Sequence, residues 1–187
     1  MNRHRYISTA VVAAVLLVLG SCGEEDALGP GTELLRPTYL SPDRPENVIA
    51  NLVLAYQHRD IEAYERLLAP EFVFRFQPGD VAEIGRASWG RDEDIRATRR
   101  LFASDKVCGI EITLTWDPAV PAREPGLEHT MLVRVTAMVL EVTECGGIAH
   151  RVDNDYQYFY LRREDGEEPT GWMIVEWRDV PGPGRAG

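Results

Sequence analysis

Cys22 stands directly behind Leu19-Gly20-Ser21, and its thiol is the first group in the chain placed to be modified. Ahead of it come Arg3 and Arg5 and then an apolar run from Ala10 to Leu19, too short to cross a bilayer as a helix of about 20 residues. A basic start, an apolar middle and small residues before a cut describe a signal peptide over residues 1–21. Elsewhere the reactive types are sparse. Asp153 and Asp155 are two apart, so in a strand they share a face and form a like-charge pair able to raise one pKa. Glu141 and His150 belong with them as acid and base candidates on inner strands. The plainer reading makes Asp153 and Asp155 the solvated end of a strand near Gly146-Gly147, and His150 a surface or turn histidine. Cys108 precedes one expected strand and Cys145 follows the next, so a hairpin would bring both to one end of a sheet, as a disulfide or as two buried free thiols. No CxxC or HExxH spacing occurs and the four histidines are scattered, so no metal and no cofactor is expected.

These groups need elements to hold them. Ser41-Pro42-Asp43-Arg44-Pro45-Glu46 supplies capping residues, a proline suited to a first helical turn and an early acid, and Val48, Ile49, Leu52, Val53, Ala55 and Tyr56 then recur at helical spacing. Asp60 caps a second short helix with Ile61, Tyr64, Leu67 and Leu68 on its apolar side, stopped by Pro70. At Phe72 the period drops to two: Phe72, Phe74 and Phe76 share one face of a strand. Pro78-Gly79-Asp80 marks a turn, and Trp89-Gly90-Arg91-Asp92-Glu93 leads into a third helix carrying Ile95, Leu101 and Phe102. Four strands follow. Ile110 to Trp116 alternates, Met131 to Val142 is apolar on both parities as in a strand buried on both faces, and His150 to Arg163 puts Tyr156, Tyr158 and Tyr160 on one side. Trp172 to Asp179 closes the sheet, with Trp172 and Ile174 expected on the tyrosine face. That order is α+β: three N-terminal helices packed on a curved, cone-shaped antiparallel sheet.

Several of these stretches also resemble known proteins. Leu19-Gly20-Ser21-Cys22 resembles the lipobox of bacterial lipoproteins, whose cysteine sulfur takes a diacylglycerol before cleavage. Pro45-Glu46-Asn47, Ala55-Tyr56, Arg59-Asp60, Phe72-Val73-Phe74, Trp89-Gly90, Phe159-Tyr160-Leu161 and Trp172-Met173-Ile174 with Trp177-Arg178-Asp179 are similar to the nuclear-transport-factor-2-like superfamily, including its SnoaL-like and uncharacterised lipoprotein members. The likeness spans about residues 45–180 and its motifs are structural, so it implies a fold more than an activity. Cyclases, isomerases and dehydratases of that superfamily set an acid, a histidine or a tyrosine inside the cone to move a proton. Their acids do not map residue by residue onto this chain.

The resulting plan has a signal peptide at 1–21, a Gly- and Pro-bearing tether at 22–40, one domain at 41–181 and a frayed tail at 182–187. Loss of Arg3 and Arg5 with the leader takes the formal net charge from −10 to −12. Such a surface repels phosphate backbones, so nucleic acid is not an expected partner. Membrane attachment should come from acyl chains on Cys22, palmitate among them, each buried methylene contributing about 0.8 kcal/mol. Location would be the cell envelope, outside the cytoplasm, and the outer membrane in a host that has one. Tyr56, Phe72, Phe74, Phe159 and Trp177, with Phe76 and Trp116, would line or close a hollow for a small apolar ligand, while the outer tyrosine face would serve a homodimer. The chain therefore reads as a lipid-anchored binding or interaction module, with a proton-transfer enzyme as the alternative.

Overall fold

Helix gives way to strand at Leu67–Leu68 with no linker, and that junction sets how the rest is laid out. The computed structural model describes residues 37–154, 156–163 and 171–181. The expected signal peptide, Cys22, most of the tether, Asp155 and the tail lie outside the described residues. Helix α1 (Pro45–His58) opens on a proline and an acid in its first turn and ends where Arg59 turns left-handed, at φ 52°. Helix α2 (Ile61–Leu67) is capped by Asp60, whose side chain accepts the Ala63 N–H at 2.9 Å. Strand β1 (Leu68–Arg75) follows at once, earlier than the aromatic alternation predicts. Helix α3 (Pro78–Ile84) replaces the turn expected there: Pro78 and Asp80 start it, and Gly85 at φ 79° stops it. Strand β2 (Ser88–Gly90) leads into helix α4 (Arg91–Ala103), where Glu93 accepts the Gly90 N–H at 3.2 Å. Strands β3 (Val107–Trp116), β4 (Val120–Pro121), β5 (Met131–Glu144), β6 (Ala149–Asn154), β7 (Tyr156–Arg163) and β8 (Trp172–Val180) complete the described chain.

The strands form one curled sheet in the order β2-β1-β8-β7-β5-β3, with β4 and β6 also paired to β5. Helices α1, α2 and α4 pack into its concave side, burying Ile49, Leu52, Tyr64 and Phe102 against Phe72, Val133, Phe159 and Ile174. This is the α+β cone that the order of elements predicts. Its sheet is mixed where an antiparallel one was expected, because β1 runs parallel to β8. No hairpin joins that pair, so local turn chemistry does not dictate its sense.

Two bulges decide which side chains face inward. Thr115 pairs with Ala137 but Trp116 with Val135, so β5 gains a residue between them and its inward set changes from Val133 and Val135 to Met138, Leu140 and Val142. Burial on both faces is confined to the Leu132-Val133 end; beyond it the apolar run on both parities reflects the parity switch, and Ala137 is exposed. In β8 the slip falls at Val175: Tyr160 pairs with Glu176 and Leu161 with Ile174. Trp172 and Ile174 therefore pack in the inner core and do not share the face of Tyr160, which corrects the expectation for that strand. On the outer side Tyr160 is fully buried with Ala69, Ala122, Leu132 and Val175. Its hydroxyl donates to Glu124 at 2.8 Å, and the Arg178 guanidinium lies 4.6 Å over its ring.

Two further ties fix the ends of the domain. Cys108 and Cys145 are joined by a disulfide, their Cα atoms 4.8 Å apart where β3 and β5 meet, so they are not separate thiols. Tyr39 donates its hydroxyl to Asp60 at 2.9 Å, and buried Asn51 brackets Leu40, accepting its N–H and donating to its carbonyl, both at 2.8 Å. The last two residues of the expected tether thus belong to the folded unit.

Candidate functional site

Helix α4 begins with four charged residues in a row, Arg91-Asp92-Glu93-Asp94, and only the fourth turns inward. Asp94, Thr98 and Leu101 fall four and three apart, so they share the stripe that α4 buries; Asp94 is only 5% exposed. Arg91 fixes this end of the helix by donating to the backbone carbonyls of Glu65, at 2.8 Å, and Leu68, at 3.2 Å. Both oxygens of Asp94 are engaged. Tyr64 of α2 donates its hydroxyl to Oδ2, and the Trp89 indole N–H of β2 donates to Oδ1 at 3.1 Å. Tyr56 of α1 joins the group through hydrogen bonds with Thr98 and Tyr64, its ring edge-on to that of Tyr64 at 5.6 Å.

Burial pushes the Asp94 carboxyl up from 3.8 to about 6, against the opposing pull of the bonds from Tyr64 and Trp89. Burial also raises the Tyr56 and Tyr64 hydroxyls, helped by the Asp94 charge beside them, so both stay protonated donors. The facing wall comes from β7 and β8. Gln157, 1% exposed, donates its amide to Asp179 Oδ1 at 3.0 Å and accepts the Trp177 indole N–H on its carbonyl oxygen. Between the walls runs a chain of rings: Phe76 to Trp89 at 5.0 Å, Trp89 to Phe74 at 5.7 Å, Phe74 to Trp177 at 5.3 Å. They border a cavity of about 40 Å³, completed by Ala97, Leu101, Ile112, Met138 and Leu140. It is an apolar hollow with one carboxylate on each side, roomy enough for a few waters or the head of a small molecule.

Of the residues singled out by sequence, Tyr56, Phe74, Phe76 and Trp177 border this cavity. Phe72 and Phe159 sit in the core behind it, Phe159 stacking on Trp177 at 4.7 Å, and Trp116 packs against that core from a half-buried position. Asp153 is exposed on β6 and held by Arg151 at 2.9 Å. Glu141 meets the same arginine at 3.6 Å, and His150 lies 2.7 Å from Glu144. None of the three borders the hollow. Asp155 lies outside the described residues. Sequence reasoning missed Asp94, Trp89, Gln157 and Asp179. For Asp94 the signal was its register with Thr98 and Leu101, masked by three charged neighbours. Among the described residues, no group of three His, Cys, Asp or Glu is arranged to hold a metal ion.

No family model and no curated protein matches this chain. Solved structures do. A conserved protein from Planctomyces limnophilus is 20% identical, with a TM-score of 0.55 over 72% of this chain and 91% of that one. The Kfla4162 protein from Kribbella flavida is 10% identical, with a TM-score of 0.53 over 74% of this chain and 88% of that one. An NTF2-like protein of unknown function in nutrient uptake from Rhodospirillum rubrum is 20% identical, with a TM-score of 0.49 over 73% of this chain and 96% of that one. At such identities the likeness is one of fold alone.

Proposed function

We propose that the chain is an envelope-anchored binding domain, which holds a small, largely apolar molecule in the hollow between α4 and the concave face of the sheet. The observation that carries this reading is the ring-walled cavity with Asp94 set in it, because apolar walls with a few placed polar atoms are what small-molecule sites are made of. Both Asp94 oxygens already accept hydrogen bonds, so the group is positioned as a fixed acceptor for a ligand before it is freed as a base. The anchor is the lipid on Cys22, which would put the domain on the outer side of a membrane.

A direct test fills the space. Ala97 borders the cavity from α4, so Ala97→Phe places a ring where the ligand would lie. Small aromatic fragments screened by ligand-observed NMR should bind the natural chain and lose that binding in Ala97→Phe. Fragments that bind both alike, or neither, would remove the reading. The anchor is tested apart: labelled palmitate should enter the natural chain and be absent from Cys22→Ala.

Proton transfer is a second reading, favoured by one observation, the Asp94 carboxyl that titrates at about 6 beside two tyrosine hydroxyls. It calls for exchange of an enolisable proton with solvent, faster above about pH 6. Asp94→Asn should abolish that exchange.

A further inference from the structure

On the side of the sheet away from the hollow lies a second concavity. Strand β4 and the segment behind it fold over the outer face, and Val120, Pro121, Arg123, Glu124, Leu132 and Arg134 line a groove of about 440 Å³ there, within the size range of small-molecule sites. Val120 pairs with Leu132 and is itself 40% exposed, so apolar surface lies open in the groove. The arginines of this face are not alike. Arg75 and Arg178 close on Glu176, and Arg162 closes on Glu71. Arg123 and Arg134 are exposed, and among the described residues neither guanidinium has an ion pair or a hydrogen bond. Asp117 stands beside Arg134 and donates its N–H to the Arg134 carbonyl at 2.9 Å, but its carboxylate does not close on the guanidinium.

Glu124 is the acid of the described lining, and the chain itself engages both its oxygens. The Tyr160 hydroxyl donates to Oε1 at 2.8 Å and the Arg123 N–H to Oε2 at 2.9 Å. Burial works against its charge, yet these bonds and the Arg178 guanidinium hold its carboxyl below the usual carboxylate range, so it is ionised at neutral pH. The described lining therefore sets two guanidiniums, which do not lose their protons, against one carboxylate. A surplus of one positive charge is matched by one negative charge.

We propose that this groove is a second ligand site, for an alkyl carboxylate whose head lies at Arg123 and Arg134 and whose chain runs over Val120, Pro121 and Leu132. It is independent of the hollow and of the reading given to the hollow. Guanidinium N–H groups fit the two oxygens of a carboxylate, and the charge on both partners strengthens those bonds. A phosphate dianion would turn the balance negative, and an uncharged chain would gain nothing from the guanidiniums.

Octanoate and octan-1-ol share an alkyl chain and differ at the head, so the pair isolates the claim. Titration of each into the chain at neutral pH, followed by methyl NMR, should shift Val120 and Leu132 and give about tenfold tighter binding of octanoate. Arg123→Gln and Arg134→Gln, both at exposed positions, should each weaken octanoate about three- to tenfold and leave octan-1-ol unchanged. Octan-1-ol binding as tightly as octanoate, or octanoate binding indifferent to both changes, overturns the assignment. Shifts confined to Leu101 and Ile112 would move octanoate to the hollow and overturn it as well, and so would the absence of any octanoate binding.

Discussion

Asp94 ionises in water near 3.8 but holds its proton to about 6 in the folded chain, so its contribution to stability has a definite sign. Because the folded state binds the proton more tightly, the contribution is full below about pH 4, falls as pH rises and is gone above about pH 6. The shift corresponds to roughly 3 kcal/mol. Asparagine has no such slope. It still accepts from Trp89 through its carbonyl oxygen, and its amide can donate to the Tyr64 hydroxyl. Urea unfolding across that range should show the natural chain losing stability relative to Asp94→Asn as pH increases. Parallel pH curves would place the Asp94 carboxyl in contact with solvent. The same residue shows why the site was hard to read. Four consecutive charges look like the solvated first turn of a helix, and only the partners Tyr64 and Trp89, thirty residues before and five before, make one of them buried.

At the scale of elements, the most constrained junction is the start of β8. Gly171 sits at φ 128°, and a Cβ there would come within 2.6 Å of both the ring and the carbonyl oxygen of Pro42, which already accepts the Trp172 N–H at 2.7 Å. Gly171→Ala should therefore destabilise the domain by about 1–3 kcal/mol, read as a lower denaturation midpoint with an unchanged slope. A stability equal to that of the natural chain would mean that the Pro42 segment yields freely. Helices α1, α2 and α4 were legible because their apolar spacing is regular. Helix α3 was not, since Pro78-Gly79-Asp80 spells both a turn and a helix start. The two bulges were invisible for a related reason: an extra residue in a strand changes no residue type, only the parity of all that follow.

For the whole molecule, the outer sheet face is smaller than the alternation of tyrosines implies. Tyr160, Leu132 and Val175 are covered by the chain's own segment between β3 and β5, leaving Tyr156, Tyr158 and Met173 half-buried at its margin. A homodimer through this sheet face would rest on those half-buried side chains, with Tyr160 already covered. Sedimentation of the domain checks it: a mass that rises with concentration and is lowered by Tyr158→Glu would support the sheet-face dimer, and a single monomer mass at all accessible concentrations would remove it. Residues 39 and 40 being tied to Asp60 and Asn51, any tether from Cys22 has at most the stretch before them to span.

Sequence by itself determined the α+β order of elements, because period and caps are local properties that tertiary contacts here reinforce. Composition determined the acidic surface in the same way, since net charge needs no coordinates. Which acids are buried, by contrast, was decided only by the tertiary structure. Asp94 and Asp179 reach the hollow through the curl of the sheet and the slip in β8, whereas Asp153 is left on an exposed strand with Arg151. Burial is a sum over contacts distant in the chain, and no window of residues contains it.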